Sequence, residues 1–102
     1  MPLLYARKEV FQALKEGKKT IDVRKGKPRG GEFAVFQCGP EVLKLRIVGV
    51  ESGLLSELVR GDNFLQFVPW AGSLGEALEY VHGLYPDCSG VFTAYHLETL
   101  KC

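Results

Sequence analysis

Apolar positions in this chain change period several times, and each change marks an element. Leu3 to Tyr5 suits a short leading strand. From about Arg7 the spacing becomes helical: Val10, Phe11 and Leu14 share a face, while Lys8, Gln12, Lys15 and Glu16 take the other. Gly17 suits the left-handed residue that ends many helices. Thr20 to Arg24 then alternates, with Ile21 and Val23 on one side, and predicts a strand. The loop Lys25 to Gly31 carries Pro28 and three glycines, which rule out a helix or a central strand.

Glu32 to Cys38 and Glu41 to Val50 predict an antiparallel hairpin turning at Gly39-Pro40. Leu43, Leu45 and Ile47 alternate with Lys44 and Arg46, but past Gly49 the apolar parity moves to Val48 and Val50. A bulge or sharp bend near that glycine accounts for the change, as where a sheet curls. Leu54 to Val59 makes a short helix, and the apolar run Asn63 to Trp70 is expected to cover one opening of the core. Ser73 and Glu76 form a capping box ahead of Leu74, Ala77, Leu78 and Val81. That helix stops before Pro86, and Val91 to Glu98 is the final strand. The expected class is α+β: one small, curved, mainly antiparallel sheet with helices set against one opening.

Length and composition change little in this picture. A chain of 102 residues with 46% hydrophobic and 25% charged residues is read as a single soluble domain, residues 1–102. It has no bilayer-length apolar run and no secretory layout at its N-terminus, so the expected location is cytoplasmic and no membrane partner is expected. Cys38, Cys88 and Cys102 are too scattered for a zinc site or a disulfide framework. Cys38 reads as a small buried hydrophobe and Cys102 as a surface thiol. Nothing in the chain implies a metal or a cofactor.

Charge does change the picture. Seven of the 13 basic residues lie between Lys15 and Arg29, against only Glu16 and Asp22. That segment is formally +5, which leaves −4 for the rest of the chain. The near-neutral total conceals a basic element on a mildly acidic domain, which points to a place and to a kind of ligand, an anionic one, and leaves open whether chemistry happens there.

Gly17, Lys19, Asp22 and Arg24 fit the pattern G-x-K-x-x-[ED]-x-R, by which the chain resembles the ASCH domain family, relatives of the PUA RNA-binding domain. The similarity extends to the hairpin, the short helix around Ser56-Glu57-Leu58, the Ser73 capping box, the helix ending at Tyr85-Pro86 and the strand from Gly90-Val91. The resemblance implies a PUA-like β-barrel whose cleft is lined by the charged residues of the motif, and RNA or a nucleotide as the ligand. Some similar proteins are enzymes, among them small amidohydrolases acting on acetylated cytidine and a ribonuclease. The amidohydrolase pattern has a lysine, a threonine three residues on and a glutamate near the last helix. Here Lys19 matches, Asp22 stands at the threonine position, and Pro69-Trp70-Ala71-Gly72 supplies no acid.

The candidate ligand-binding residues are therefore Lys19, Asp22, Arg24, Lys25, Ser73 and Tyr95, and for an enzyme Lys19 and Asp22 carry the chemistry. Lys19 and Arg24 suit phosphate, as a point charge and as a bidentate fork. The plainer alternative is a solvated positive edge. Strand parity puts Lys19 on the apolar side of Ile21 and Val23, so it either floors a cleft or sits in a turn that resets the register. Asp22 and Arg24 face the same way, so they either meet a ligand or pair with each other. Lys25, Lys27 and Arg29 are a phosphate-embracing loop or a solvated one. Ser73 reads first as a helix cap, and Trp70 as a lid or a stacking platform. Tyr95 and His96 point to opposite faces of the last strand, so one of them either reaches the cleft or, as strand aromatics more often do, packs in the core. Two functions stay open: binding of RNA, a nucleotide or a nucleoside, and hydrolysis of a modified nucleoside or of RNA with Lys19 at its centre.

Overall fold

The computed structural model describes residues 3–99, so Cys102 lies outside the described residues. The elements follow the order β1 (Leu3–Tyr5), α1 (Lys8–Lys15), β2 (Ile21–Lys25), β3 (Phe33–Cys38), β4 (Glu41–Gly53), α2 (Leu55–Leu58), α3 (Phe64–Phe67), α4 (Leu74–Leu84) and β5 (Phe92–Thr99). The five strands form one mixed sheet in the order β1-β3-β4-β5-β2, with β1 parallel to β3 and all other pairs antiparallel. The sheet curls into a half-barrel, and β1 and β2 are its two edges. The last strand of the chain thus fills the gap between β4 and β2.

Local chemistry sets the joints. α1 ends in a Schellman turn: Gly17 takes φ 78°, its N–H bonds Leu14 O at 3.2 Å, and the Lys18 N–H bonds Ala13 O at 3.0 Å. β3 and β4 are joined through Gly39, φ 59°, and Pro40, with Cys38 opposite Glu41. The parity change in β4 is a bulge. Ile47 faces Leu97 and Gly49 faces His96, so Val48 is an extra residue and Val50 returns to the face of Tyr95. Val48 and Val50 remain 56% and 44% exposed, so the bulge bends the strand without adding them to the core.

Both faces of the sheet are covered at β2 and β5. Leu4, Ala34, Phe36, Leu45, Tyr95 and Leu97 pack with Val10, Phe11 and Leu14 of α1. On the opposite side, Ile21, Val23, Phe92 and Ala94 pack with Leu55, Leu58, Phe67, Ala77 and Val81 from α2, α3 and α4. The run after Asn63 covers the core as its composition suggests, through buried Phe67, Val68 and Ala71. β2 and β5 are therefore sandwiched, and polar side chains on β2 cannot simply face water. Among the described residues, no helix is long and apolar enough to cross a membrane.

Phe36 is fully buried at the centre of the α1 side, whereas Val42 is 62% exposed. Phe36→Ala is expected to lower unfolding free energy by about 3–5 kcal/mol, and Val42→Ala by no more than about 0.5 kcal/mol. Equilibrium urea denaturation of the two variants checks this.

Candidate functional site

The site begins where α1 ends. The left-handed Gly17 reverses the chain, and the Lys18 and Lys19 N–H groups both bond Ala13 O. Lys18 remains in water, while Lys19 turns inward and is only 6% exposed. Lys19 thus lies in the turn just before β2, the arrangement that resolves the parity conflict. Its ammonium donates to Ile21 O at 2.6 Å and to Phe67 O at 2.5 Å. One N–H remains for the cavity.

Asp22, 3% exposed, lies on the β2 face that carries Tyr95. Arg24 is two residues on and faces the same way. It donates from Nε to Asp22 Oδ2 at 2.6 Å, from Nη2 to Oδ1 at 3.4 Å, and from Nη1 to Tyr5 O at 3.0 Å. The internal ion pair that the spacing allows is therefore formed. Three of the five N–H groups of Arg24 are engaged, so it does not present an open fork. Its third bond links β2 to β1 across the unpaired edges of the sheet.

Lys19, Asp22 and Arg24 border one cavity of about 180 Å³, together with Tyr5, Arg7, Phe67, Val68, Tyr80, Leu84 and Tyr85. The buried ammonium and carboxylate mark its deep end, and Tyr5, 70% exposed, stands at its mouth. Tyr80 reaches across from α4 to α1 and donates to Glu9 Oε2 at 3.0 Å, and the Trp70 ring contacts Tyr80 edge-on at 5.1 Å. Trp70 is 44% exposed and props a wall residue instead of sealing the core.

The electrostatics follow from burial. Desolvation pulls the Lys19 pKa down to about 8; the Asp22 charge resists this and Arg24 reinforces it. Desolvation also works against the Arg24 cation, but Asp22 and then Tyr85 outweigh it and the net shift is upward. The Tyr80 hydroxyl is pushed up to about 12 by desolvation and by Glu9. The charged side chains that border the cavity, Arg7, Lys19, Asp22 and Arg24, sum formally to +2.

The other candidates lie elsewhere. Ser73 caps α4 by accepting from the Glu76 N–H at 3.2 Å, and Glu76 in turn accepts from the Gly72 N–H. Neither lines the cavity. Lys25 is bound to Asp87, with 2.5 Å to its carbonyl and 3.4 Å to its carboxylate. Lys25 and Tyr95 border a neighbouring cavity, while His96 stands beside Glu51 at 3.8 Å. Tyr5, Phe67, Tyr80 and Tyr85 were not legible as site residues. For Tyr80 a faint signal exists, since it lies three and four residues from Ala77 and Leu84 on one flank of α4. Among the described residues, no group of three His, Cys, Asp or Glu side chains converges as a metal site would require.

No protein-family profile matches this sequence, and no curated protein does. Solved structures do match. The hypothetical protein PH0355 superposes with a TM-score of 0.76 at 20% identity, over 96% of this chain and 97% of its own. A mutant of ZmASCH from Zymomonas mobilis gives a TM-score of 0.69 at 15% identity, over 94% of this chain and 66% of its own. This is the ASCH fold. Protein PF0455 from Pyrococcus furiosus has it too, with a TM-score of 0.70 at 20% identity over 99% and 98% of the two chains. At these identities the likeness establishes the fold, and this chain spans about two thirds of the Zymomonas protein. In this ASCH fold the motif glycine ends α1, the lysine floors the cavity, and the aspartate and arginine pair along its β2 wall.

Two outcomes are expected here. Asp22→Asn keeps the shape but leaves two cations without a buried counter-charge. It should cost about 3 kcal/mol, the low end for a broken buried pair because the Arg24 side chain keeps 24% exposure. Urea denaturation measures it. For Lys19, the folded pKa of about 8 lies below the ordinary 10.5, so between these values the folded state binds fewer protons than the unfolded state. Wild-type stability relative to Lys19→Met should therefore rise with pH through that window, by up to about 1 kcal/mol per pH unit. A flat or falling difference contradicts the buried-lysine assignment.

Proposed function

We propose that this domain binds RNA or a nucleotide by drawing one nucleobase-sized group into the cavity beside β2. The observation that carries this reading is a single enclosure with a charged, hydrogen-bonding floor and walls contributed by Tyr80, Tyr85 and Phe67. The remaining Lys19 N–H suits a base carbonyl or ring nitrogen, and the aromatic walls suit the base face. A volume of about 180 Å³ accommodates one splayed base or a free nucleoside, and does not admit duplex. Lys19 and Arg24, already engaged with carbonyls and Asp22, serve here as base-edge contacts more than as phosphate forks.

One observation favours a second reading, hydrolysis of a modified nucleoside. With its pKa lowered to about 8, Lys19 becomes an amine just above neutrality while two carbonyls still hold its protons, and its lone pair takes the remaining direction. The lysine of amidohydrolases acting on acetylated cytidine is the resemblance behind this alternative. Against it, Asp22 is the one carboxylate bordering the cavity among the described residues, and it is engaged by Arg24. Glu76, the acid nearest in sequence to Pro69–Gly72, is occupied in capping α4. Binding is therefore the reading we adopt.

Calorimetric titration with the four ribonucleosides and with short single-stranded RNA tests it. The wild type should bind at least one of them, and Lys19→Met, checked for a cooperative melt, should bind it about tenfold or more weakly for one lost charge-assisted contact. Absence of binding to every probe rejects the proposal. Release of acetate from N4-acetylcytidine by the wild type, abolished in Lys19→Met, would replace it with the hydrolase.

A further inference from the structure

A second cavity, of about 230 Å³, opens beside the first and shares Tyr5, Arg24 and Tyr85 with it. The two are chambers of one groove that runs along the seam between β1 and β2. Their chemistry differs. The second chamber adds Lys25, Lys27, Arg29 and Tyr95 to the shared Arg24. Asp22 offsets Arg24, and Asp87 offsets Lys25. Among the described residues, Lys27 and Arg29 have no carboxylate partner, so this chamber keeps a net positive charge.

These cations stand on an anchored loop. Gly26 takes φ 111° and Gly31 φ 134°, conformations that favour glycine. The Gly26 N–H bonds Val91 O at 2.8 Å, and Gly26 O accepts from the Thr93 hydroxyl at 2.7 Å. The Arg29 N–H bonds the Tyr95 hydroxyl oxygen at 3.0 Å. Tyr95 is 1% exposed, and among the described residues its own hydroxyl hydrogen has no acceptor. A buried phenol O–H thus borders the chamber as an unused donor. Two cations without a carboxylate partner, of which Arg29 also donates from Nη1 to Leu3 O at 3.5 Å, and that phenol make a multi-donor concavity, and such a set suits the oxygens of a phosphate.

We infer that this chamber is a phosphate subsite, so that the ligand is a phosphorylated nucleotide unit with its base in the deep chamber and its phosphate against Lys27, Arg29 and Tyr95. This inference rests on the nucleotide reading of the deep chamber. The phosphate belongs either to a free nucleotide or to an RNA backbone, and both present the same oxygens. Arg24 stands between the two subsites and fixes their spacing.

The test is titration of the wild type and of the double variant Lys27→Ala/Arg29→Ala with ribonucleosides, their 5′-monophosphates and tetraribonucleotides. A monophosphate should bind about tenfold or more tightly than its nucleoside. The double variant should lose that advantage while keeping the nucleoside affinity. A tetranucleotide that binds tighter still, with a steeper salt dependence, assigns the phosphate to an RNA backbone; equal affinity assigns it to a free nucleotide. Equal binding of nucleoside and monophosphate by the wild type overturns the subsite and leaves the base chamber standing. If no nucleoside binds, pyrophosphate alone is titrated while the amide resonances of residues 26–31 are followed. Shifts that vanish in the double variant support the subsite although the base reading has failed, and the absence of shifts overturns it.

Discussion

The Lys19 ammonium, withdrawn from water and held by two main-chain carbonyls, is the constraint on which the rest of the structure turns. An unpaired buried cation is too costly to persist, so the chain supplies Ile21 O, Phe67 O and the Asp22 charge. The contacts of Lys19 reach three parts of the fold. Ile21 starts β2, Phe67 closes α3, and the Lys19 N–H is fixed to the last turn of α1. The helix end, the edge strand and the covering segment are thus joined at one nitrogen, which is also the floor of the cavity.

The second constraint is the open seam. A fully closed barrel would pair β1 with β2 through their backbones and leave little room between them. In this half-barrel the Arg24 side chain spans the gap instead, with Asp22 on its own strand and Tyr5 O on the other. The gap becomes a groove, with one chamber on either side of the guanidinium. That one residue ties the two edge strands together through its contacts to Asp22 and Tyr5 O.

The folded chain also divides the basic segment by role. Lys15 and Lys18 stay at the surface beside Glu41 and Glu16, at 3.9 and 3.4 Å, where such pairs contribute little. Lys19 and Arg24 are drawn into the groove with Asp22. Lys25 is tied to Asp87, and among the described residues Lys27 and Arg29 at the seam have no carboxylate partner. A formal charge of +5 in the sequence thus becomes a much smaller, localised charge with a direction.

Element identities were legible from the sequence because they follow from short-range physics. The 3.6-residue spacing of Val10, Phe11 and Leu14, the Gly17 stop, the Ser73–Glu76 box and the shift of parity near Gly49 each correspond to an observed element or joint. The motif located the deep chamber for the same reason, since a lysine two residues past a left-handed glycine and an Asp-x-Arg on a strand have fixed local geometry. The sequence did not determine who would meet whom across the fold. Tyr5, Phe67, Tyr80 and Tyr85 come from three separate elements or their ends, β1, α3 and α4, and their convergence depends on the placing of β5 between β4 and β2 and on the docking of α4. Sequence also left open whether Asp22 and Arg24 would face a ligand or each other, and whether Tyr95 or His96 would turn inward. Those choices depend on which strand face is covered, and only the tertiary packing of helices on both sides of β2 and β5 decided them.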